Sequence, residues 1–251
     1  MRKFFVENEN INLNENKIMI VGQDVNHIKN VLRLNVSEKI LVCDKSNFKN
    51  YISEIENINN ESIECSIVEE VEGDAEGNVE LHIFQGLPKA DKMELIIQKG
   101  TELGISEYIP VKLSRCIVKL DGKDEVKKID RWKKISEVAA KQSGWDRVPK
   151  VDRLNSLNEV KTRVKDYDLF LVAFEEEKEN TLKRELVDLK AKMNNYKIAC
   201  LVGPEGGLTS DEVQELEDAG AKVITLGNRI LRTETVAMYI ASTVMYELEM
   251  N

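Results

Sequence analysis

The sequence predicts a two-domain α/β protein, in which a small β-rich domain precedes a larger domain built on a parallel sheet. Residues 1–72 contain short β-branched segments separated by Asn, Asp and Ser, a pattern typical of strands and turns. From residue 79 onward, apolar strand-like segments alternate with helical ones, which indicates a layered α/β domain. The 251 residues are enough for two domains that each bury a core.

The β-rich domain is followed by a segment typical of a linker. Residues 70–78 contain two glycines and four acidic residues, with Val71 as the one bulky side chain. We therefore predict domains of residues 1–74 and 75–251. The strands predicted in the first domain are residues 18–22, 39–45, 51–58 and 62–71.

The second domain is predicted to begin with a strand, residues 79–87, and a helix that Gly104 ends. Met93, Ile96 and Ile97 share the apolar face of that helix. The last three of the later strands are nearly continuous apolar runs, as expected when both faces of a parallel sheet are covered. These later strands are residues 107–113, 168–176, 197–203 and 221–227, and residues 236–249 form the terminal helix.

The composition excludes several classes of protein. No run approaches the roughly 18 apolar residues of a membrane span, and the first residues lack the apolar core of a signal peptide, so we expect a cytoplasmic protein. The four cysteines are far apart and form no C-x-x-C pair, and the sequence has two histidines. Neither a structural zinc site nor a disulfide framework is expected.

The distribution of charge bears on nucleic-acid binding. The net charge of -9 argues against an RNA partner, because phosphate binding normally leaves a basic signature. Residues 88–150, however, carry 15 Lys and Arg against 10 Asp and Glu. This basic segment is compatible with RNA binding and equally with a solvated lysine-rich surface.

A glycine-rich loop follows the strand predicted at residues 197–203. It contains Gly203, Gly206 and Gly207, and it ends in a T-x-x-E capping box formed by Thr209 and Glu212. A short turn needs one glycine at most, whereas several glycines let a backbone approach a ligand closely. The loop is therefore interpreted as a ligand site followed by a helix start.

A second loop, residues 224–235, joins the last strand to the terminal helix. Ile230 and Leu231 lie between two arginines, and an apolar loop beside arginines can form the wall of a site for a flat, partly polar ligand. Thr233 or Thr235 can cap the terminal helix. Neither loop fits a P-loop or a G-x-G-x-x-G signature, so a Rossmann mode of cofactor binding is not expected.

At these two loops the chain resembles the 16S rRNA (uracil-N3) methyltransferase family, a branch of the SPOUT superfamily. Further segments match in the order of the family: MRKFFV, residues 27–33, KADKMELIIQKGTELG, SRCIVK, WKKISEVAAKQS and RVPKV. The resemblance implies methyl transfer from S-adenosylmethionine to N3 of a uridine in small-subunit ribosomal RNA. It also implies an N-terminal PUA-like β-barrel, a C-terminal SPOUT domain with a trefoil knot, and a homodimer.

Three positions depart from the pattern of the family. The family often has two histidines where Asn26 and His27 stand, a proline at Asn228 and an arginine at Trp145. Either Arg147 takes the place of that arginine or Trp145 stacks on an RNA base.

The expected site combines the two loops with the resemblance. Arg232 is expected to stabilise the anion that develops on the uracil, with Glu234 beside it as the second catalytic candidate. No general base is identified and no metal is expected. S-adenosylmethionine is expected to bind through backbone groups of Leu201, Gly203, Gly206, Leu226, Gly227, Ile230 and Leu231, with Ala173 and Phe174 as neighbours. The expected cofactor site also includes Pro204, Glu205, Gly207, Thr233 and Thr235. The expected RNA contacts are Lys29, Arg33, Lys89, Arg115, Lys119, Lys141, Gln142 and Arg147.

Other interpretations stay open. A ribosome-assembly factor of the same fold would bind RNA without methyl transfer and need not bind the cofactor. Another SPOUT enzyme would methylate a different RNA position. The homodimer draws some support from an apolar stripe on the terminal helix, which could equally pack inside its own subunit; the stripe consists of Val236, Ile240, Val244 and Leu248.

Overall fold

The computed structural model describes residues 1–47, 49–72 and 77–249. The chain divides into a first unit, Met1–Glu76 with Ala140–Val148, and a second unit, Gly77–Ala139 with Pro149–Asn251. The predicted boundary between residues 74 and 75 lies outside the described residues.

The first unit is built on a six-stranded sheet, in the order β1-β4-β5-β6-β3-β2. The pair β1–β4 is parallel and the other neighbours are antiparallel. The four strands predicted from the sequence are confirmed as β3 to β6. The bounds are β1 Lys3–Val6, β2 Ile11–Asn12, β3 Lys17–Val21, β4 Lys39–Asp44, β5 Asn50–Ile58 and β6 Ser62–Val71.

Alternation of buried and exposed side chains explains this sheet. On β3, Ile18 and Ile20 are buried while Met19 and Val21 face solvent, as the period of two of a half-buried strand requires.

Between β3 and β4 the chain forms a short helix, α1 (Gln23–Asn26), that continues as a π-helical turn, His27–Leu32. A further short segment, Asn8–Asn10, is a 3₁₀ turn.

Residues 140–148 belong to the first unit through a buried polar cluster. The Lys3 ammonium donates to the Gly144 and Trp145 carbonyl oxygens at 2.6 and 3.0 Å and to Asp146 Oδ1 at 2.7 Å. Asn50 Nδ2 donates to the same carboxylate oxygen at 2.8 Å. A buried ammonium is stable only when its donors are satisfied, so this cluster fixes the segment on the first unit.

The second unit contains a parallel sheet in the order β10-β8-β7-β12-β11-β13, with the short β9 also paired to β8. The strands predicted from the sequence are confirmed as β7, β8, β11, β12 and β13. The strand bounds are β7 Val79–Gly86, β8 Ile105–Lys112, β9 Lys150–Val151, β10 Asn155–Ser156, β11 Leu169–Ala173, β12 Tyr196–Val202 and β13 Lys222–Ile224.

Helices cover both faces of this sheet, which is why its strands are apolar runs. On β12, Ile198 and Cys200 enter the core layer that contains α2 and α7, whereas Ala199 and Leu201 enter the opposite layer, which contains α4 and α6. The helix bounds are α2 Lys92–Glu102, α3 Gly122–Ser143, α4 Leu157–Arg163, α5 Leu182–Lys190, α6 Ser210–Asp218 and α7 Thr233–Leu248, with a 3₁₀ turn at Val164–Asp166.

The apolar stripe of α7 packs inside its own chain. Ile240, Val244 and Leu248 are buried in the core layer of α2, and Val236 packs against the same layer. Three of the four side chains of the stripe are thus covered within their own chain, so the alternative that the stripe packs inside its own subunit is confirmed and the stripe gives the homodimer no support.

Within residues 1–47, 49–72 and 77–249, no helix combines the length and apolar character needed to cross a membrane. The same residues contain no group of three or more His, Cys, Asp and Glu side chains placed to hold a metal ion.

Candidate functional site: a cleft at the carboxyl ends of three strands

A cleft of about 570 Å³ opens where β11, β12 and β13 end. Its walls are the segment that follows β11, the glycine loop (residues 203–208) and the arginine loop (residues 225–232), with the start of α7. Ligands of open parallel sheets bind at this edge, and the volume falls in the range of small-molecule sites. The cleft is therefore the candidate functional site.

The glycine loop is a tight turn that leads into α6. The Gly207 amide donates to the Pro204 carbonyl oxygen at 2.9 Å, and Gly207 adopts a φ of +68°, a conformation that favours glycine. The predicted capping box is confirmed: Thr209 Oγ1 accepts from the Glu212 amide, and the Glu212 carboxylate accepts from the Thr209 amide. Helix α6 thus fixes one end of the loop.

A buried hydrogen-bonded triangle joins the two loops of the cleft. Gln85, at the end of β7 and fully buried, donates through Nε2 to Thr233 Oγ1 at 2.8 Å and to the Gly203 carbonyl oxygen at 3.4 Å. The Thr233 hydroxyl donates to the same carbonyl oxygen at 2.6 Å. Both loops are therefore fixed at one point beneath the cleft.

This triangle overturns the expectation that Thr233 or Thr235 caps the terminal helix. The N-cap of α7 is Arg232, and no side chain makes a capping hydrogen bond there. Thr233 is the first residue of the helix, and its hydroxyl is engaged with Gly203 and Gln85 instead. The Thr233 side chain, which the local sequence pattern assigned to the helix cap, forms long-range hydrogen bonds instead.

An ion-pair cluster centred on Lys92 closes one side of the cleft. The Lys92 ammonium lies 2.8 Å from Glu205 Oε1 and 3.5 Å from Glu234 Oε2. The Lys89 amide also donates to Glu205 Oε1, at 2.9 Å. Partial burial acts to raise the pKa of Glu205, but the hydrogen bonds from Lys92 and from the Lys89 amide outweigh it and hold that pKa below its ordinary value. The start of α2 is thereby joined to the glycine loop and to α7.

Arg232 presents a solvent-accessible guanidinium to the cleft. Within the part of the chain that the structure describes, it forms no ion pair or side-chain hydrogen bond. Glu205 and Glu234 lie beside Lys92 instead, so neither carboxylate pairs with Arg232. The guanidinium is available to a ligand.

Most residues expected to bind the cofactor line this one cleft. Leu201 is instead fully buried in the sheet, and Gly206, Thr235 and Glu234 lie outside the lining. Arg232 is part of the lining, together with the expected residues Ala173, Phe174, Gly203, Pro204, Glu205, Gly207, Leu226, Gly227, Ile230, Leu231 and Thr233.

Several lining residues were not predicted from the sequence. Lys92 comes from α2, more than a hundred residues before both loops along the chain, so no local pattern could indicate it. The same holds for Gln85, which is buried and lies outside the lining. Other lining residues follow strands that were predicted, and their position after a strand end was the signal that could have identified them. They are Glu175, Lys178, Thr225, Asn228 and Arg229.

The residues expected to contact RNA are divided between the units. Lys141 pairs with Asp24 of α1 at 2.9 Å, and α1 continues into the turn that carries Lys29. Lys29 donates to Asn60 Oδ1, and Arg115 donates to the Gly206 carbonyl oxygen behind the glycine loop. The first unit contains Lys29, Arg33, Lys141, Gln142 and Arg147, and the second contains Lys89, Arg115 and Lys119.

Comparisons with known proteins agree along the whole chain. An RNA methyltransferase domain family matches residues 75–245, and an RNA methyltransferase PUA domain family matches residues 20–68. The Bacillus subtilis protein named ribosomal RNA small subunit methyltransferase E is 36% identical over 252 residues, which cover 100% of this chain and 98% of that protein.

Solved structures show the same similarity. A crystal structure of ribosomal RNA small subunit methyltransferase E from Neisseria gonorrhoeae, bound to S-adenosyl methionine, is 28% identical, with a TM-score of 0.83 over 98% of this chain and 97% of that one. A protein described as hypothetical is 34% identical, with a TM-score of 0.86 over 99% of both chains.

Proposed function

The chain belongs to the RNA methyltransferase family that its residues 75–245 match, and we propose that it transfers a methyl group from S-adenosylmethionine to N3 of a uridine in small-subunit ribosomal RNA. The observation that supports this proposal best is the cleft itself. The cleft lies between a glycine loop and an arginine loop at the carboxyl edge of a parallel sheet. The chain is also similar throughout its length to the ribosomal RNA small subunit methyltransferase E of Bacillus subtilis.

The cleft fits S-adenosylmethionine. Leu226, Ile230 and Leu231 provide an apolar wall for a flat base. A methyl group built on Gly227, which has a φ of +105°, would meet no atom within 4 Å, so the backbone there is open to a ligand. Gly203 and Gly207 line the cleft from the glycine loop. These residues, with Ala173, Phe174 and Pro204, would hold the cofactor, which supplies an electrophilic methyl group.

The residues of the chain contribute orientation and electrostatics. Holding the uracil in line with the donor is the larger contribution, because alignment converts a collision into an intramolecular step. Arg232 then stabilises negative charge on the uracil oxygens, which favours loss of the N3 proton. Glu205 and Glu234 both lie beside Lys92, so neither is assigned as the base, and the proton leaves to solvent at the open face of the cleft.

The RNA contacts are proposed to come from both units. On the first unit they are Lys29, Arg33, Lys141, Gln142 and Arg147, and on the second they are Lys89, Arg115 and Lys119. The proposed partners are thus small-subunit ribosomal RNA, free or assembled, and a second copy of the chain. The proposed location is the cytoplasm.

Transfer of tritium from labelled S-adenosylmethionine to small-subunit RNA, followed by identification of the nucleoside, tests this function. We expect label in 3-methyluridine. Label in another nucleoside would indicate a different RNA position. Absence of cofactor binding and of transfer would indicate an RNA-binding assembly factor.

A further inference from the structure

The charged side chains that line the cleft carry a net positive charge. The cations outnumber the carboxylates, and one carboxylate, Glu205, is already paired with Lys92 at 2.8 Å. The cationic lining residues are Lys92, Lys178, Arg229 and Arg232, and the lining carboxylates are Glu175 and Glu205. Glu175 is therefore the lining carboxylate that remains free to meet a ligand.

Glu175 has no partner for its carboxylate in residues 1–47, 49–72 and 77–249. The neighbouring Lys178 ammonium donates at 2.8 Å to the backbone carbonyl of Glu175 and forms no ion pair with its side chain. Glu175 is exposed, so water solvates its carboxylate when the cleft holds no ligand. A ligand that displaces this water must supply a donor in its place.

The backbone around Glu175 is well fixed. Glu177 Oε1 accepts hydrogen bonds from the amides of Lys178, Glu179 and Asn180, at 2.6 to 3.0 Å. These backbone hydrogen bonds hold the pKa of Glu177 below its ordinary value. The carboxylate of Glu175 thus projects from an ordered turn directly after β11.

The side chain of Glu175 reaches the glycine loop. A methyl group built on Gly207 would lie 2.5 Å from Glu175 Oε1, so the carboxylate rests against the bare Cα of Gly207. It thereby forms the wall between the segment after β11 and the glycine loop, two of the three segments expected to surround the cofactor.

We propose that the Glu175 carboxylate binds S-adenosylmethionine by accepting a hydrogen bond from an N–H or O–H donor of the cofactor. This inference rests on the proposed function. The cofactor carries a sulfonium, an ammonium and a carboxylate, together with two ribose hydroxyls. Without Glu175, its positive groups would meet a lining whose free charges, Lys178, Arg229 and Arg232, are all positive. The donors that fit are the methionyl ammonium and the ribose hydroxyls.

Titration calorimetry of Glu175→Gln tests the proposal, with Glu176→Gln as the matched control. Glu176 is exposed on the same segment and lies outside the lining, so the two variants lose the same charge. Three probes are titrated: S-adenosylmethionine, S-adenosylhomocysteine and 5′-methylthioadenosine, which keeps the ribose and lacks the amino acid. We expect Glu175→Gln to bind S-adenosylmethionine roughly tenfold to a hundredfold more weakly, the scale of one charge-assisted hydrogen bond.

The three probes identify the donor. Weaker binding of both amino-acid-containing probes with unchanged binding of 5′-methylthioadenosine assigns the ammonium. Weaker binding of all three probes assigns the ribose hydroxyls. If Glu175→Gln binds all three probes within threefold of the wild-type affinity, the proposal is overturned. An equal loss of affinity in Glu176→Gln would also overturn it, because the loss would then come from the change in overall charge.

The unliganded melting temperature keeps folding separate from binding. Because Glu175 is exposed and unpaired in the described chain, Glu175→Gln is expected to have the melting temperature of the wild type without ligand. Added cofactor is expected to raise that temperature less than it raises the melting temperature of the wild type. A wild-type protein that binds no S-adenosylmethionine would overturn the proposed function together with this inference. A wild type that binds it, with a Glu175→Gln variant that binds it equally well, would overturn this inference alone.

Discussion

Gln85 Nε2 lies 2.8 Å from Thr233 Oγ1, and this buried hydrogen bond joins the central strand β7 to the first residue of α7. Thr233 in turn donates to the Gly203 carbonyl oxygen at 2.6 Å. The two loops of the cleft therefore share one anchor, and the shape of the cleft depends on a hydroxyl that touches both.

Thr233→Val keeps the shape of the side chain and removes that hydroxyl. The Gly203 carbonyl and the Gln85 amide would each lose a buried partner, so we expect a loss of about 1–3 kcal/mol in the free energy of unfolding. Weaker cofactor binding should accompany it. Urea denaturation and calorimetry measure both quantities. Thr235→Val is the control, because Thr235 is exposed on the same turn. If both variants change stability and cofactor affinity equally little, the anchoring role of Thr233 is contradicted.

The sequence predicts features that depend on neighbouring residues and misses those that depend on distant ones. The capping box of Thr209 and Glu212 was predictable because its partners are three residues apart. The contact of Gln85 with Thr233 spans 148 residues, and its long-range geometry overrode the local helix-cap pattern. The buried Lys3–Asp146 pair is similar, since nothing local indicates that residues 140–148 pack on the first unit.

The candidate site followed the same rule. The positions of Gly207, Gly227 and Arg232 in the cleft were predictable because each follows a strand whose apolar run was recognisable. Lys92 was not, because it enters from α2. The trefoil knot and the homodimer implied by the resemblance stay predictions.

Lys92→Met should destabilise the protein in a pH-dependent manner. The hydrogen bond to Glu205 raises the pKa of Lys92, and that of Glu205 is lowered below its ordinary 4.5. The stabilisation is lost as pH falls through the lowered pKa of Glu205, or as it rises through the pKa of Lys92, above 10.5. The variant should therefore differ most from wild type between these limits.

Melting temperatures measured from pH 3 to pH 11, a range of about eight pH units around these limits, test this expectation. Lys99→Met is the matched control, because Lys99 pairs with Glu102 on the same helix and lies away from the cleft. If the difference in melting temperature between Lys92→Met and wild type does not change with pH, the ion pair contributes nothing to stability.

Gly207→Ala and Gly206→Ala should behave differently. At Gly207 the methyl group would enter a residue with φ of +68° and come within 2.5 Å of Glu175 Oε1, so we expect at least tenfold weaker cofactor binding and about 1–2 kcal/mol lower stability. At Gly206 it would lie 3.1 Å from Arg115 Cβ, outside the cleft. Calorimetry should find Gly206→Ala within threefold of wild type, and equal losses would contradict the assignment of Gly207 to the site.

Asp146→Ala should destabilise the first unit. The side chains of Lys3 and Asp146 are 11% and 6% exposed, so removing the carboxylate leaves a buried ammonium with one acceptor fewer. Breaking a buried pair in this way typically costs about 3–5 kcal/mol. Lys49→Met, which breaks an exposed pair with Glu70, should cost less than about 1 kcal/mol. Denaturant unfolding compares the two, and equal costs would contradict the structural role of Asp146.

The rate of a single methyl transfer by Arg232→Ala tests the assignment of this cleft as the reaction centre most directly. If the guanidinium stabilises the uracil anion, turnover of saturated enzyme with small-subunit RNA should fall roughly a hundredfold or more, the scale for one preorganised donor. Cofactor affinity and melting temperature should barely change, and Arg232→Lys should recover little, because an ammonium lacks the planar fork. A rate within threefold of wild type, or a joint fall of rate, affinity and stability, would contradict the account.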